Sequence, residues 1–223
     1  MTDALLPEDS FTRAKLLAQA IALSLPQKVD AAGLTLQSRL PFKATSVRET
    51  LIHRVSALAS PAVALLEAGN LVAAIVLTRA VLETVAVVFS LRREVDAFLE
   101  NGKVERLDDF LMACLVGSRW PDAETQARSV LTMIDHLDKQ FEGYRATFDS
   151  LCEYAHPNWS GVLGSFGSID RENHVLHLTQ RGRDSIRAIG ATSLAMSLNL
   201  FQHEYDDMIP SLQALNTYFE VRY

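Results

Sequence analysis

Between Ser10 and Leu25 the apolar residues Phe11, Leu16, Leu17, Ala20, Ile21 and Leu25 recur at three- and four-residue spacing, the mark of a helix with one buried face. Pro26 ends the pattern. From Gln27 to Ala44 it weakens around Gly33 and Pro41, which predicts a connector with one helical turn. Ser46-Val47-Arg48-Glu49 has the form of a capping box, so a helix is predicted to open there and run to Ala59. Ser60-Pro61 predicts a restart, because proline suits a first helical position, and Gly69-Asn70 predicts a stop.

Leu71–Leu91 reads LVAAIVLTRAVLETVAVVFSL and is apolar in almost every direction around a helix. Arg79 and Glu83 stand near its middle, one turn apart and on one face. A central arginine costs about 2.5–3.5 kcal/mol in a bilayer. The neighbouring segments are amphipathic, so the stretch is predicted to be the central helix of a bundle, continuing to Asn101-Gly102.

Gly102–Gly117 predicts another helix, with Leu107, Phe110, Leu111, Cys114 and Leu115 inward, broken at Trp120-Pro121. Asp122–Phe141 predicts the next, with Val130, Leu131, Ile134 and Leu137 inward. Tyr144–His156 repeats the helical spacing through Tyr144, Phe148, Leu151, Cys152 and Ala155. Pro157, Gly161, Gly164 and Gly167 forbid its continuation. Leu163–Ile169 and His174–Thr179 then predict two short strands around Asp170-Arg171-Glu172-Asn173. A long helix is predicted from Asp184 to about Tyr218, bent or broken at Pro210. Taken together the pattern predicts one all-α domain over residues 1–223: a helical bundle, central helix about 70–100, with a small β-hairpin near 163–179.

Composition narrows the function classes. Nearly half of the residues are hydrophobic (48%) and 22% are charged, an ordinary globular balance. The formal net charge of −6 argues against general nucleic-acid binding, since phosphates need a basic surface. The first residues, MTDALLPEDSFTRAK, lack the apolar run of a secretory signal, and Cys114 and Cys152 stand isolated in apolar contexts. A cytoplasmic location away from the membrane is the expectation.

The charge pair locates the candidate site. A buried guanidinium needs more partners than one carboxylate, because it carries five N–H donors. The segment Glu153-Tyr154-Ala155-His156-Pro157-Asn158-Trp159-Ser160-Gly161 gathers polar groups at a helix end, so it is predicted to pack near Arg79 and Glu83. The expected binding residues are Arg79, Glu83, Tyr144, Glu153, His156, Asn158 and Trp159, with His156 and Arg79 as candidate catalytic groups. The same cluster also reads as structural glue that fixes helix register.

Arg79-Ala80-Val81-Leu82-Glu83 followed by Tyr144…Leu151…His156-Pro157-Asn158 resembles a group of helical bacterial proteins of uncharacterised function. Those proteins share an R-x-x-x-E helix and a later Y…L…H segment, and are grouped loosely with HEPN-like domains. The resemblance covers residues 65–160. It implies an all-α bundle and marks Arg79, Glu83, Tyr144 and His156 as matching positions, and it brings no activity with it.

HEPN-type ribonucleases place an arginine and a histidine four to six residues apart near a helix end, one to stabilise phosphorane charge and one to move a proton. Arg48 to His53 and Arg171 to His177 have that spacing. The second pair falls on the predicted hairpin, and a spatial Arg79–His156 pair is the other route to such a site. A metal-independent ribonuclease is therefore the alternative to a module that binds a small molecule or protein partner. Glu153-Tyr154-Ala155-His156 is a single E-x-x-H where a dinuclear site needs two, and no Cys/His zinc spacing occurs, so no metal is expected. His174 and His177, three apart on a predicted strand, face opposite sides. Gln202-His203-Glu204-Tyr205-Asp206-Asp207 reads as a solvated charged face. Arg181, Arg183 and Arg187 are a candidate anion site at the start of the last helix. Gly161-Val162-Leu163-Gly164-Ser165-Phe166-Gly167 lacks the strand-to-helix context of a phosphate loop, and neither G-x-S-x-G nor a Walker loop is present, so no cofactor is expected. A homodimer packed through apolar helix flanks such as Ala191–Phe201 completes the expectations.

Overall fold

The computed structural model describes residues 7–179 and 184–222. Among the described residues there are eight helices, holding 73% of the chain, which makes the fold all-α with one small hairpin. They are α1 (Pro7–Leu23), α2 (Leu40–Ala68), α3 (Leu71–Asn101), α4 (Val104–Leu115), α5 (Val130–Asp138), α6 (Tyr144–Ala155), the single turn α7 (Leu163–Phe166) and α8 (Asp184–Arg222). A short 3-10 turn, Ala31–Gly33, lies in the first connector. Between α7 and α8 a hairpin pairs β1 (Gly167–Asp170) with β2 (Val175–Leu178) antiparallel.

The helix ends follow local chemistry where glycine sets them. Gly69 and Gly102 take the left-handed conformation, at φ 77° and 69°, and their N–H groups return to carbonyls of the preceding turn. Gly69-Asn70 thus folds α2 back on α3 through a two-residue turn.

Five sequence expectations are corrected. The helix predicted to open at Ser46 already begins at Leu40, with Pro41 in its first turn, so Ser46 is interior and no capping box forms. Pro61 does not restart a helix; α2 runs through it, since packing on α1, α3, α4 and α8 offsets one missing N–H. The helix predicted over Asp122–Phe141 is confined to Val130–Asp138, because residues 118–127 form a looped turn held by Ser118 N–H to Thr125 O and Ala127 N–H to Ser118 O. Leu163 begins a helical turn and not a strand; β1 starts only at Gly167. Pro210 lies inside α8 without interrupting it.

α3 is the centre: it packs against α2, α8, α6, α5 and α4. Ile75, Leu82, Val85, Phe89, Leu91 and Phe98 are buried there, meeting Leu66, Leu111, Ile134, Leu151, Leu198 and Phe201 from the surrounding helices. Both α2 and α3 are long and apolar enough to cross a membrane, and here their apolar stripes form the bundle core. At Gly190 a Cβ would stand 3.1 Å from Leu66 and 3.3 Å from Ile75, so glycine lets α8 close onto α2 and α3.

Candidate functional site

Arg79 and Glu83 form the ion pair expected from their spacing, Nη2 to Oε1 at 3.2 Å. The pair is not in the dry centre, and this corrects the expectation of a sealed seam: the side chains keep 32% and 26% of their exposure. They lie on the outer stripe of α3, in line with Val76, which is 44% exposed. Partly buried Leu77 and Val87, with exposed Val76, make that stripe look like core in sequence.

α6 covers the pair from one side. The Arg79 guanidinium stands 5.2 Å from the Phe148 ring centroid, and its charge acts on the Cys152 thiol. Burial raises the Cys152 pKa and Arg79 opposes the rise. Tyr144, one turn before Phe148, is buried, and its hydroxyl donates to the Leu82 carbonyl at 2.9 Å. Burial pushes that phenol well above its ordinary value.

The remainder of the predicted cluster lies elsewhere. His156 is the C-cap of α6, one turn beyond Cys152, with extended backbone that leads the chain off the helix. His156 and Trp159 are exposed, Trp159 by 68%. Asn158 donates to Glu153 at 2.8 Å and accepts the Gly161 N–H at 3.0 Å, so these residues close their own turn. Only a hydrogen fits at Gly161, where a Cβ would stand 2.0 Å from the His156 carbonyl. Among the described residues no hydrogen bond or ion pair joins Glu153, His156, Asn158 or Trp159 to Arg79 or Glu83. The structure therefore brings Arg79, Glu83 and Tyr144 to the α3–α6 contact and leaves the His156 turn apart.

The other candidates are also placed. Arg48 is engaged elsewhere, as described next, and the His53 ring meets the Pro26 carbonyl at 2.8 Å. Arg181 and Arg183 lie outside the described residues; Arg187 stacks over Phe11 at 5.4 Å. His174 sits in the hairpin turn with φ 53°, not in the strand. Among the described residues no three His, Cys, Asp or Glu side chains converge as a metal site.

The buried polar network is on α8, in the run expected to be solvated. Glu204 is fully buried. Arg92 of α3 lies beside it, Nε 2.8 Å from Oε2 without the N–H aligned to donate, and the hydrogen bond runs from Nη2 to Oε1 at 3.2 Å. Asp207 adds a second carboxylate to Arg92 at 3.5 Å, and His203 approaches Asp207 at 3.4 Å. Burial raises the Glu204 carboxyl above its ordinary value, against the pull of Arg92 and His203. One residue further along, Arg48 of α2 donates through Nε and Nη2 to the Tyr205 carbonyl at 3.1 and 2.9 Å. It also pairs with Glu49 and stacks 3.5 Å over the Tyr205 ring. The signal was present in sequence: Leu194, Leu198, Phe201, Met208 and Leu215 form a core stripe whose missing step is filled by Glu204-Tyr205.

Concave surface that includes Tyr144 lies in a trough between α6 and α8. Both helices rest on α3. One cavity of about 530 Å³ is lined by Ala146, Thr147 and Ser150 of α6 with Ile189, Thr192 and Ser193 of α8. A second of about 400 Å³ follows along α8, where Phe141, Glu142 and Tyr144 face Met196, Leu200 and His203. Neither family models, nor curated proteins, nor solved structures yield a match to this chain.

Proposed function

We propose that this chain is a partner-binding module that takes an amphipathic helix of another protein into the α6–α8 trough. The carrying observation is the shape of the trough. Its α8 wall runs from Ala188 to His203, sixteen residues, which is about 22 Å or four helical turns. That length suits a docked helix with anchors at i, i+3/i+4 and i+7. The first cavity is lined by small residues, Ala146 and Ala188 with the hydroxyl-bearing Thr147, Ser150, Thr192 and Ser193, and Glu142 and His203 at the other end supply polar rim groups. Either cavity alone has the volume of a small-ligand site, but two in a row along one helix suit an elongated occupant better. Action in the cytoplasm, away from the bilayer, belongs to the same reading; the use of the α3 apolar surface inside the bundle supports it. The ribonuclease alternative gains no support from the placement of Arg79 and His156.

The test is selection of peptides from a library of amphipathic helices on the full chain. Selected peptides are expected to carry apolar residues at helical spacing, and to lose binding to Thr192→Arg and Met196→Glu chains that melt like wild type. Both positions are exposed, so these changes leave the core intact. Peptides whose binding ignores both substitutions would sink the reading.

A further inference from the structure

The hairpin presents its apolar side to solvent. In its register Gly167 faces Leu178 and Ile169 faces Leu176, so these four residues share one side of the sheet. Ser168, His177, Asp170 and Val175 share the other. Ile169, Leu176 and Leu178 are 61%, 49% and 76% exposed. This is the alternation of a half-buried sheet with its apolar half uncovered. Among the described elements the hairpin's main packing is β1 on β2 and on the short turn α7. Leu163 of α7 abuts the Gly167 end of the face, and a 540 Å³ hollow is lined by Leu163, Ile169, Val175 and Leu176 with Asp170, Arg171 and His174 at its turn end. Beside α7 the exposed Val162 and Trp159 extend the apolar surface.

We propose that this face is covered by the same face of a second copy of the chain, as a two-fold dimer of hairpins. A two-stranded hairpin alone is marginal in water and needs a covering layer. Two such hairpins face to face make a small sandwich, each supplying what the other lacks. Ile169, Leu176, Leu178, Val162 and Trp159 together expose about 600 Å² per copy, so a pair that covered all of it would bury about 1,200 Å², the lower limit of a stable specific interface. The three strand side chains of the face, Ile169, Leu176 and Leu178, are uncharged, and the charges of Asp170 and Arg171 stand beside them at the edge of the hollow. Arg171 and Glu172 in the turn give each copy both signs at the rim, so two copies meet without like-charge opposition.

Sedimentation of the full chain across a wide concentration range tests this. Wild type is expected to reach dimer mass. Leu176→Asp is expected to raise the dimer dissociation constant by about 30-fold or more, the scale of an interface hot spot. Ser168→Asp, on the opposite side of the sheet, should leave it unchanged. A second measurement guards against local damage to the hairpin: Leu178→Cys should form a reducible cross-linked dimer, and Ser168→Cys should not. Monomer mass for wild type at all concentrations overturns the proposal. So does a dimer that survives Leu176→Asp, or cross-linking that is equal from the two faces.

Discussion

The Tyr205 hydroxyl donates to the Glu49 carboxylate at 2.5 Å while the carbonyl of the same residue receives two N–H groups from Arg48. One residue of α8 is thereby held at both ends by adjacent residues of α2. Arg48→Ala removes the donors and leaves Glu49 short of its cation in a site about nine-tenths buried. A loss of about 3–5 kcal/mol is expected in denaturant unfolding, with unchanged m-value. Arg48→Lys should recover little of it, since an ammonium cannot reproduce the forked contact. Tyr205→Phe should cost about 1.5–3 kcal/mol, the value of a hydrogen bond to a charged acceptor. Near-neutral results would show that the clamp contributes nothing.

Glu83→Ala gives the contrast. Its pair with Arg79 is partly exposed and one helical turn apart, so its net worth is about 0.3–0.5 kcal/mol. The melting temperature should barely move. A drop comparable to that of Arg48→Ala would place the Arg79 pair in the dry core after all.

Glu204 sets a pH dependence. Its carboxyl is raised above the ordinary 4.5 chiefly by burial, so the native state holds this proton more tightly than the unfolded chain does. Its contribution to stability is therefore fully present below about 4.5 and lost as pH rises through the native value. The Glu204→Gln chain lacks this titration. Its stability relative to wild type should climb across that window and level off above it, as read from urea midpoints at successive pH values. A relative decline would mean that Arg92 outweighs burial.

The two thiols report on their surroundings. Burial pushes Cys114 up to about 12, with Arg128 opposing only in part. Cys152 is also raised, but Arg79 holds it down. Under native conditions alkylation should reach Cys152 first. Arg79→Gln should slow that reaction and Glu83→Gln should speed it, as followed by mass spectrometry. Equal rates in all three chains would separate Arg79 from Cys152 in solution.

These outcomes bear on what was legible in the sequence. Helix ends at Gly69 and Gly102 could be read because a left-handed turn has few other solutions. The hairpin and α6 could be read for the same local reason. Ser46 misled because a capping box is also an ordinary helical sequence, and only Leu40 and Pro41, packed into the core, show that the helix started earlier. Arg79 was drawn inward by apolar neighbours on an outer stripe. Glu204 was pushed outward by three charged neighbours, although its spacing from Phe201 and Met208 placed it inside. Charge density is a poor guide to the position of one residue; its phase on the helix is the better one.

The Gly69-Asn70 turn joins two long apolar helices with almost no intervening chain, so little loop entropy opposes their pairing. α2 and α3 form the natural nucleus, and α8 reaches Arg48 only across 157 residues of sequence. Weakening the Arg48–Tyr205 contact should therefore hasten unfolding far more than it slows folding, and the lifetime of the native state is set at the last helix to dock.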